Sequence, residues 1–406
     1  MNPNWQEVAL SDIGRVVGGA TPSTKNPNFY DGDIVWITPK DLSGYKERKI
    51  SKGAKNITQE GYDSCSTCFL PKGSILFSSR APIGYVAIAD CELCTNQGFK
   101  SIVPDKNKVD GQFLFYALKF NAPRIESMAS GTTFKEVSGA VMKKVRIKCP
   151  KSLSDQRKIA NILSSFDDKI EINNRIINNL EEQRFLLFKY KFIEHKTGEL
   201  VNLESFVEQT LGGDWGKDTL QDKYSEKVHC IRGADIPSVS LGGVGKCPLR
   251  YITKKNFDNK KIEPNMIVVE LSGGSPTQST GRSALISKDY VDRFDGRLIC
   301  TNFCRSLKIR VGYEFFFYEY WKFLYDTGIF FNFENGTTGI KNLDMKSVLN
   351  KTKVFKPDNE SLNEFNNFAK LVQRMQMSLS TQNNILEKTR DSILPKIISG
   401  ELAIIN

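Results

Sequence analysis

Residues 155–187 read DQRKIANILSSFDDKIEINNRIINNLEEQRFLL. Ile159, Phe166, Asn173, Leu180 and Leu187 fall seven apart, and Ile162, Lys169, Ile176 and Gln183 form a companion row three residues on. Two rows at heptad spacing predict a long helix with one apolar stripe. Ser152 or Ser154 offers its N-cap, Asp155 suits its first turn, and Gly198 is a natural stop. The pattern returns near the C-terminus. Phe365, Val372, Leu379, Leu386 and Ile393 make one row, and Phe368, Met375, Gln382 and Thr389 the other. Asp358, Asn359 or Ser361 would cap this second helix, Gly400 would stop it, and Pro395 would kink or end its last turn. The rows of the two helices are related by a shift of 206 residues. A lone heptad helix cannot bury its stripe, so each helix either packs on its own domain or pairs with the other. Pairing as an antiparallel coiled coil is the expectation. The polar members of the rows (Lys169, Asn173, Gln183, Gln382, Thr389) would fix register, or offer a docking point for another subunit.

Nearly the same shift recurs along the whole chain. Cys94-Thr95-Asn96-Gln97 answers to Cys300-Thr301-Asn302-Phe303, and Ser130-Gly131-Thr132-Thr133 to Asn335-Gly336-Thr337-Thr338. Residues 145–150 answer to 352–357, and Asn179-Leu180-Glu181 to Ile385-Leu386-Glu387. Four matches in one order at nearly one offset mark a tandem repeat. Before each helix lie short β-rich runs between turn residues. In the first half they are Ile34–Ile37, Ser74–Ser78, Tyr85–Ile88, Ser101–Val103 and Val145–Ile147; in the second, Met266–Glu270, Ala284–Ile286 and Ser306–Ile309. Each half also has an aromatic helical run, Phe113–Leu118 and Phe315–Trp321, read as core rather than as a base-stacking platform. The fold class is α+β: two α+β domains, 1–152 and 197–358, each followed by a long helix, 153–196 and 359–406 with its tail.

With 406 residues, 40% hydrophobic and 25% charged, each domain can bury a core. No run approaches the ~20 apolar residues of a membrane span, and Met1–Glu7 lacks a basic-then-apolar leader, so a cytoplasmic location is expected. The net charge of +11 is spread along the chain, which suits folded domains touching phosphates at many points. Nine Cys in such a chain argue against structural disulfides. Cys65-x-x-Cys68 and Cys91-x-x-Cys94 have a zinc-ribbon-like spacing, which keeps a zinc-binding scaffold as an alternative. Adding 206 to Cys91 lands on Arg297, in a half with no such pair, and this argues against zinc. Only His195 and His229 are present, there is no Asp/Asn-Pro-Pro-Tyr/Phe segment, and Gly242-Gly243-Val244-Gly245-Lys246-Cys247 misses the phosphate-loop spacing. No catalytic residue is assigned.

These residues resemble those of the specificity subunits of type I restriction-modification systems, over essentially the whole chain. Gly32–Thr38 resembles the opening strand and turn of that family's target recognition domain, and Ile75–Gly84 its central strand and turn. Thr95-Asn96-Gln97-Gly98-Phe99 and Ser130-Gly131-Thr132-Thr133-Phe134 resemble two of its loops, and Asp155–Ala160 and Ile393–Leu402 its helix opening and closing signature. The second half departs more: Gly273–Arg282 replaces the compact Arg-Ala-Pro-Ile-Gly turn, and Phe303 the Gln of Thr-Asn-Gln.

The resemblance implies a non-catalytic DNA-reading subunit, with one half-site of an asymmetric bipartite target per recognition domain. It implies two methyltransferase subunits and restriction subunits as partners. S-adenosylmethionine, ATP and magnesium would be held by those chains. A helix of about 38 residues would span roughly 57 Å and act as a ruler between the half-sites. Candidate DNA contacts are loop residues: Thr21, Ser23, Lys25, Lys40, Ser79, Arg80, Thr132, Thr133 and Lys135, then Arg232, Ser275, Gln278, Thr280, Arg282, Thr337, Thr338 and Lys341. Arg suits guanine, Asn or Gln adenine, and Lys phosphate. A protein-binding adaptor of two domains is the other alternative.

Overall fold

The computed structural model describes residues 4–131, 135–275, 277–336 and 341–402. The chain divides into two compact units, Met1–Glu171 with Ile385–Asn406, and Ile172–Asn384. The two long helices, Leu153–Lys189 and Asn359–Ile398, contribute one part to each. Ser152 Oγ caps the first, accepting from Ser154 N at 3.1 Å, and Asp358 caps the second through Ser361 N at 2.8 Å. Pro395 does not end the second helix, which continues to Ile398.

Each unit carries a main sheet and a smaller sheet of corresponding order, with one strand more in the first unit's main sheet. In the first, strands Gly14–Gly18, Lys100–Pro104, Ile75–Ser79, Ile83–Ala89 and Lys49–Ile50 lie side by side in that order. In the second the order is Val207–Gly212, Cys304–Ile309, Ile267–Glu270 and Ser283–Leu285. A smaller sheet sets Tyr30–Ile37 between Lys55–Ile57 (antiparallel) and Cys94–Thr95 (parallel). Its counterpart sets Glu226–Ile231 between Leu249–Ile252 and Leu298–Cys300 with the same polarities. The aromatic helices, Gly111–Ser127 and Glu314–Asp326, are core. Phe113–Leu118 are buried with Ile159, Leu163, Leu394 and Ile397, and Phe315–Tyr318 with Phe188, Leu362 and Phe365.

In each unit the long helices meet in antiparallel fashion. Within the second unit Asn173 Nδ2 donates to Gln382 and Asn383 (2.7 and 2.8 Å), and Gln376 Nε2 to the Ile177 carbonyl (3.3 Å), so partners descend as the first helix ascends. Within the first, Arg390 is paired with Asp167. Of the two predicted rows, the one through Ile159, Asn173, Phe365 and Val372, all buried, is in the seam, and the companion row is not. Lys169, Ile176 and Gln183 are exposed. Buried instead are Gln156, Leu163, Ile170, Ile177 and Arg184, matched in the second helix by Leu362, Ala369, Gln376 and Asn383, with Arg390 closing that row half-buried. The shift is again 206; the period, the repeat and the first row hold, and the companion row is replaced because the seam is hydrogen-bonded as much as apolar.

Candidate nucleic-acid interface

In both units the loops gather at one end of the main sheet. In the first, the amide of Asn96 donates to the Ile37 carbonyl (3.0 Å), and Phe99 N closes a turn onto the Asn96 carbonyl (3.3 Å). Ser79 N and Oγ both donate to the Gly98 carbonyl, at 2.7 and 3.2 Å, so the turn is pinned to the central strand. Gln97 is exposed at its tip and accepts from the Thr21 hydroxyl. The loop holding Thr21, Ser23 and Lys25 is braced by Trp36 Nε1 on the Ala20 carbonyl (3.1 Å) and by the Tyr30 hydroxyl on the Pro22 carbonyl (2.8 Å). Lys40 stands exposed on the turn Pro39–Leu42, whose Asp41 accepts from Thr38 N at 2.7 Å. Arg80 reaches Glu136 at 3.9 Å, and Glu136 is held at 3.0 Å by Lys100. Ser130 and Glu136 pair across the hairpin that bears the Gly-Thr-Thr loop. Thr132 and Thr133 lie outside the described residues, as do Thr337 and Thr338. Among the described residues Lys25, Lys40 and Lys135 are exposed and have no carboxylate partner, which leaves them free for phosphates.

The second unit builds the same face with other side chains. Thr301 N donates to the Ile231 carbonyl (3.0 Å), Cys304 N closes a turn onto the Thr301 carbonyl (2.9 Å), and Leu271 N pins it through the Phe303 carbonyl (2.8 Å). Strand register agrees: Ile75 faces Ile102 in one unit and Ile267 faces Leu307 in the other. Hence Asn302 stands where Gln97 does, and Phe303 where Gly98 does. The match of Cys-Thr-Asn by residue identity is one position out of step with the strands. Around the turn, Arg282 donates from Nε and Nη2 to both oxygens of Glu270 (2.8 and 2.6 Å). Arg232 grips both oxygens of Asp235 (2.9 and 3.1 Å). The Lys341 ammonium meets Glu334 at 2.9 Å, and Glu334 also accepts from Thr280 N (2.6 Å) and Oγ1 (2.9 Å). The hydrogen bonds that the Arg282 guanidinium donates to Glu270 raise its pKa and keep it charged, outweighing burial. Ser275 N donates to the Gln278 carbonyl (2.8 Å), and the exposed Gln278 reaches the Tyr325 hydroxyl (3.4 Å).

Most of the sequence candidates are thus brought to two equivalent faces. Ser79 and Thr280 are fully buried and spend their polar atoms inside the fold, holding these faces rather than fronting them. Sequence reasoning left Gln97, Asn302 and Phe303 off the candidate set. The available signal was the Thr-Asn-Gln segment between a strand and a breaker, and an aromatic where the other half is polar. The four cysteines of the zinc-like pattern do not gather: Cys68 Sγ points to the Gly18 carbonyl (3.9 Å) and Cys91 Sγ to the Ser51 carbonyl (3.7 Å). Burial pushes the Cys94 thiol up to about 12, so it is protonated at neutral pH. Among the described residues no three His, Cys, Asp or Glu side chains are grouped as a metal site, and no helix is long and apolar enough to cross a membrane.

Residues 2–182 match the family model described as the type I restriction modification DNA specificity domain. The chain is 34% identical, over 99% of its own length and 94% of the relative's, to the type I restriction enzyme MjaIX specificity subunit of Methanocaldococcus jannaschii. It is 32% identical over 32% of its length, and 28% of the relative's, to the HindI specificity subunit of Haemophilus influenzae. In fold it is similar to the crystal structure of the type I restriction-modification S subunit from M. genitalium, with a TM-score of 0.55, 17% identity, and coverage of 100% of this chain and 98% of that one.

Proposed function

The chain belongs to the family of type I restriction-modification specificity subunits, and from that premise we propose that it reads an asymmetric, bipartite duplex DNA target, one half-site per unit. The observation that carries this reading is the repeated face. Two units share strand order, register and turn geometry, yet differ in the side chains they present there: Gln97 and Lys40 in one, Asn302, Phe303 and Arg282 in the other. A conserved scaffold with diverged loops suits two similar docking poses on two different sequences. Unpaired lysines supply phosphate contacts, and the fixed polar tips supply contacts to base edges.

The chemistry belongs to other chains. Two methyltransferase subunits would bring S-adenosylmethionine, and restriction subunits would bring ATP and magnesium. This chain directs them to methylate adenine or to cleave unmodified DNA. The test is a genome-wide map of N6-methyladenine in the source cell, with this gene intact and deleted while the partner methyltransferase is expressed. Loss of methylation at one bipartite motif is expected. An unchanged map overturns the reading.

A further inference from the structure

Phe303 is 58% exposed, on a turn whose neighbours Thr301 and Cys304 are buried. An exposed phenyl ring on a mobile loop would mean little. This one is fixed by three main-chain hydrogen bonds: Cys304 N to Thr301 O, Leu271 N to Phe303 O, and Ser272 N to Phe303 O (3.2 Å). The matching position in the first unit shows what the turn needs for its own sake. There Gly98 has no space for a side chain, since a Cβ would fall 2.7 Å from the Pro39 ring. In the second unit the residue matching Pro39 is Gly233, as the equivalent acid-capped turns Thr38–Asp41 and Arg232–Asp235 establish. The fold has therefore exchanged a bulky residue beneath the tip for a bulky residue on it, and it leaves the ring in solvent.

The surroundings are those of the reading face. Ser272 Oγ is bonded to Asn342 of the hairpin bearing the second Gly-Thr-Thr loop, and Asn302 is exposed beside the ring. Arg305 donates to the carbonyls of Asn302 and Cys304 (3.2 and 3.0 Å) and, among the described residues, has no carboxylate partner. A cation, an amide and an apolar ring thus stand on one rigid turn. Apolar side chains read one feature of a major groove, the 5-methyl group of thymine, and an Asn amide reads adenine.

We propose that Phe303 is a specificity-determining residue that contacts a thymine methyl group in the half-site read by the second unit. In the first unit the polar Gln97 tip stands alone above Gly98, so the two half-sites are read differently by one and the same turn. This inference rests on the DNA-reading function proposed above.

The experiment uses the full chain with its methyltransferase partner, native and as Phe303→Ala and Phe303→Gln. Targets carry deoxyuridine in place of each thymine of the recognised sequence in turn, which removes only the methyl group. With native protein, one thymine is expected whose replacement slows methylation about fourfold, the worth of one buried methyl group. With either variant, that replacement should have no further effect, while preferences at every base pair of the other half-site stay native. Such non-additivity marks direct contact. The inference is overturned if the variants keep the native response to every deoxyuridine, if native protein ignores all of them, or if the half-site holds no thymine. Native protein with no sequence preference at all overturns the underlying function as well, and so is distinguishable from the other failures.

Discussion

Arg184 and Glu319 form an ion pair out of contact with solvent: Nε donates to Oε1 at 2.5 Å, and the side chains are 2% and 0% exposed. Arg184 comes from the first long helix and Glu319 from the aromatic helix of the second unit. Glu181, which Arg184 and Lys322 hold ionised against burial, completes the cluster at 2.7 and 2.6 Å. The residue 206 places on, Arg390, does the same work in the first unit, where Asp167 takes its charge and accepts from the Tyr116 hydroxyl at 2.5 Å. Each unit therefore ties its aromatic helix to a long helix through one arginine, buried in the second unit and half-buried in the first. The carboxylate has changed element, from a long helix in one unit to the aromatic helix in the other.

Removing one partner of such a pair strands the other. Arg184→Met should destabilise the second unit by about 3–5 kcal/mol, because Glu319 stays buried without its cation. Arg184→Met combined with Glu319→Leu should recover most of that loss, since an apolar pair of similar volume carries no desolvation penalty. Urea unfolding of the single and double variants measures both. Equal losses would mean that the ion pair is not what holds the helices there.

Asp235 gives a pH dependence with a definite sign. Burial alone would raise its pKa; hydrogen bonds from the Arg232 guanidinium and from the amides of Lys246 (2.9 Å) and Arg232 (3.1 Å) outweigh burial and hold it below the usual value of about 3.9. A depressed folded-state pKa means that the unfolded chain binds the proton first. Its stabilisation is therefore present above about pH 3.9 and is lost as pH falls through the folded-state value. Asp235→Asn should be less stable than native at neutral pH, and the gap should shrink steadily on acidification. A gap independent of pH between about 5 and 2 would contradict this.

The helical period, the duplication and one row of the seam were legible in the sequence; the companion row was not. Lys169, Ile176 and Gln183 of the companion row are exposed, while Gln156 and Arg184, which neither row included, are buried. Hydrophobicity identifies a seam only when the seam is apolar, and this one is held by amides and ion pairs between residues some 200 positions apart. The strands from Ile34 to Ile147 were legible because turns bound them. The one-residue offset between Gly98 and Phe303 was hidden, because identity aligned Cys94 with Cys300 whereas the hydrogen bonds to Ile37 and Ile231 align Asn96 with Thr301. Arg232 and Arg282 looked like free cations in the sequence; the carboxylates that orient them, 3 and 12 residues away, could be assigned only in three dimensions.

Lys25, Lys40 and Lys135 should contribute to affinity without contributing to choice. Replacing each by Ala should flatten the slope of log affinity against log salt by about 0.9, and all three together by roughly 3. The recognised sequence should be unchanged. The measurement is a salt titration of DNA binding by the assembled methyltransferase. A native salt slope in the triple variant would place these lysines away from phosphate.

Arg282 calls for a finer experiment because Glu270 already occupies two of its donors. Bonding through Nε and Nη2 leaves Nη1 and one Nη2 hydrogen uncommitted, and Glu270, 4% exposed, cannot itself reach a ligand. The carboxylate thus sets the direction of a guanidinium whose free edge is suited to guanine. Glu270→Gln keeps the shape and loses the charge-assisted grip, and Arg282→Lys keeps the charge and loses the fork. Both should cost about 1–3 kcal/mol of discrimination at one base pair of the second unit's half-site, with little change in salt slope. Discrimination is measured as the ratio of methylation rates on targets differing at that pair. If Arg282→Lys lowered the salt slope by about 1 and left that ratio intact, Arg282 would be a phosphate contact. If Glu270→Gln alone were silent, the orientation of Arg282 would owe nothing to the pair.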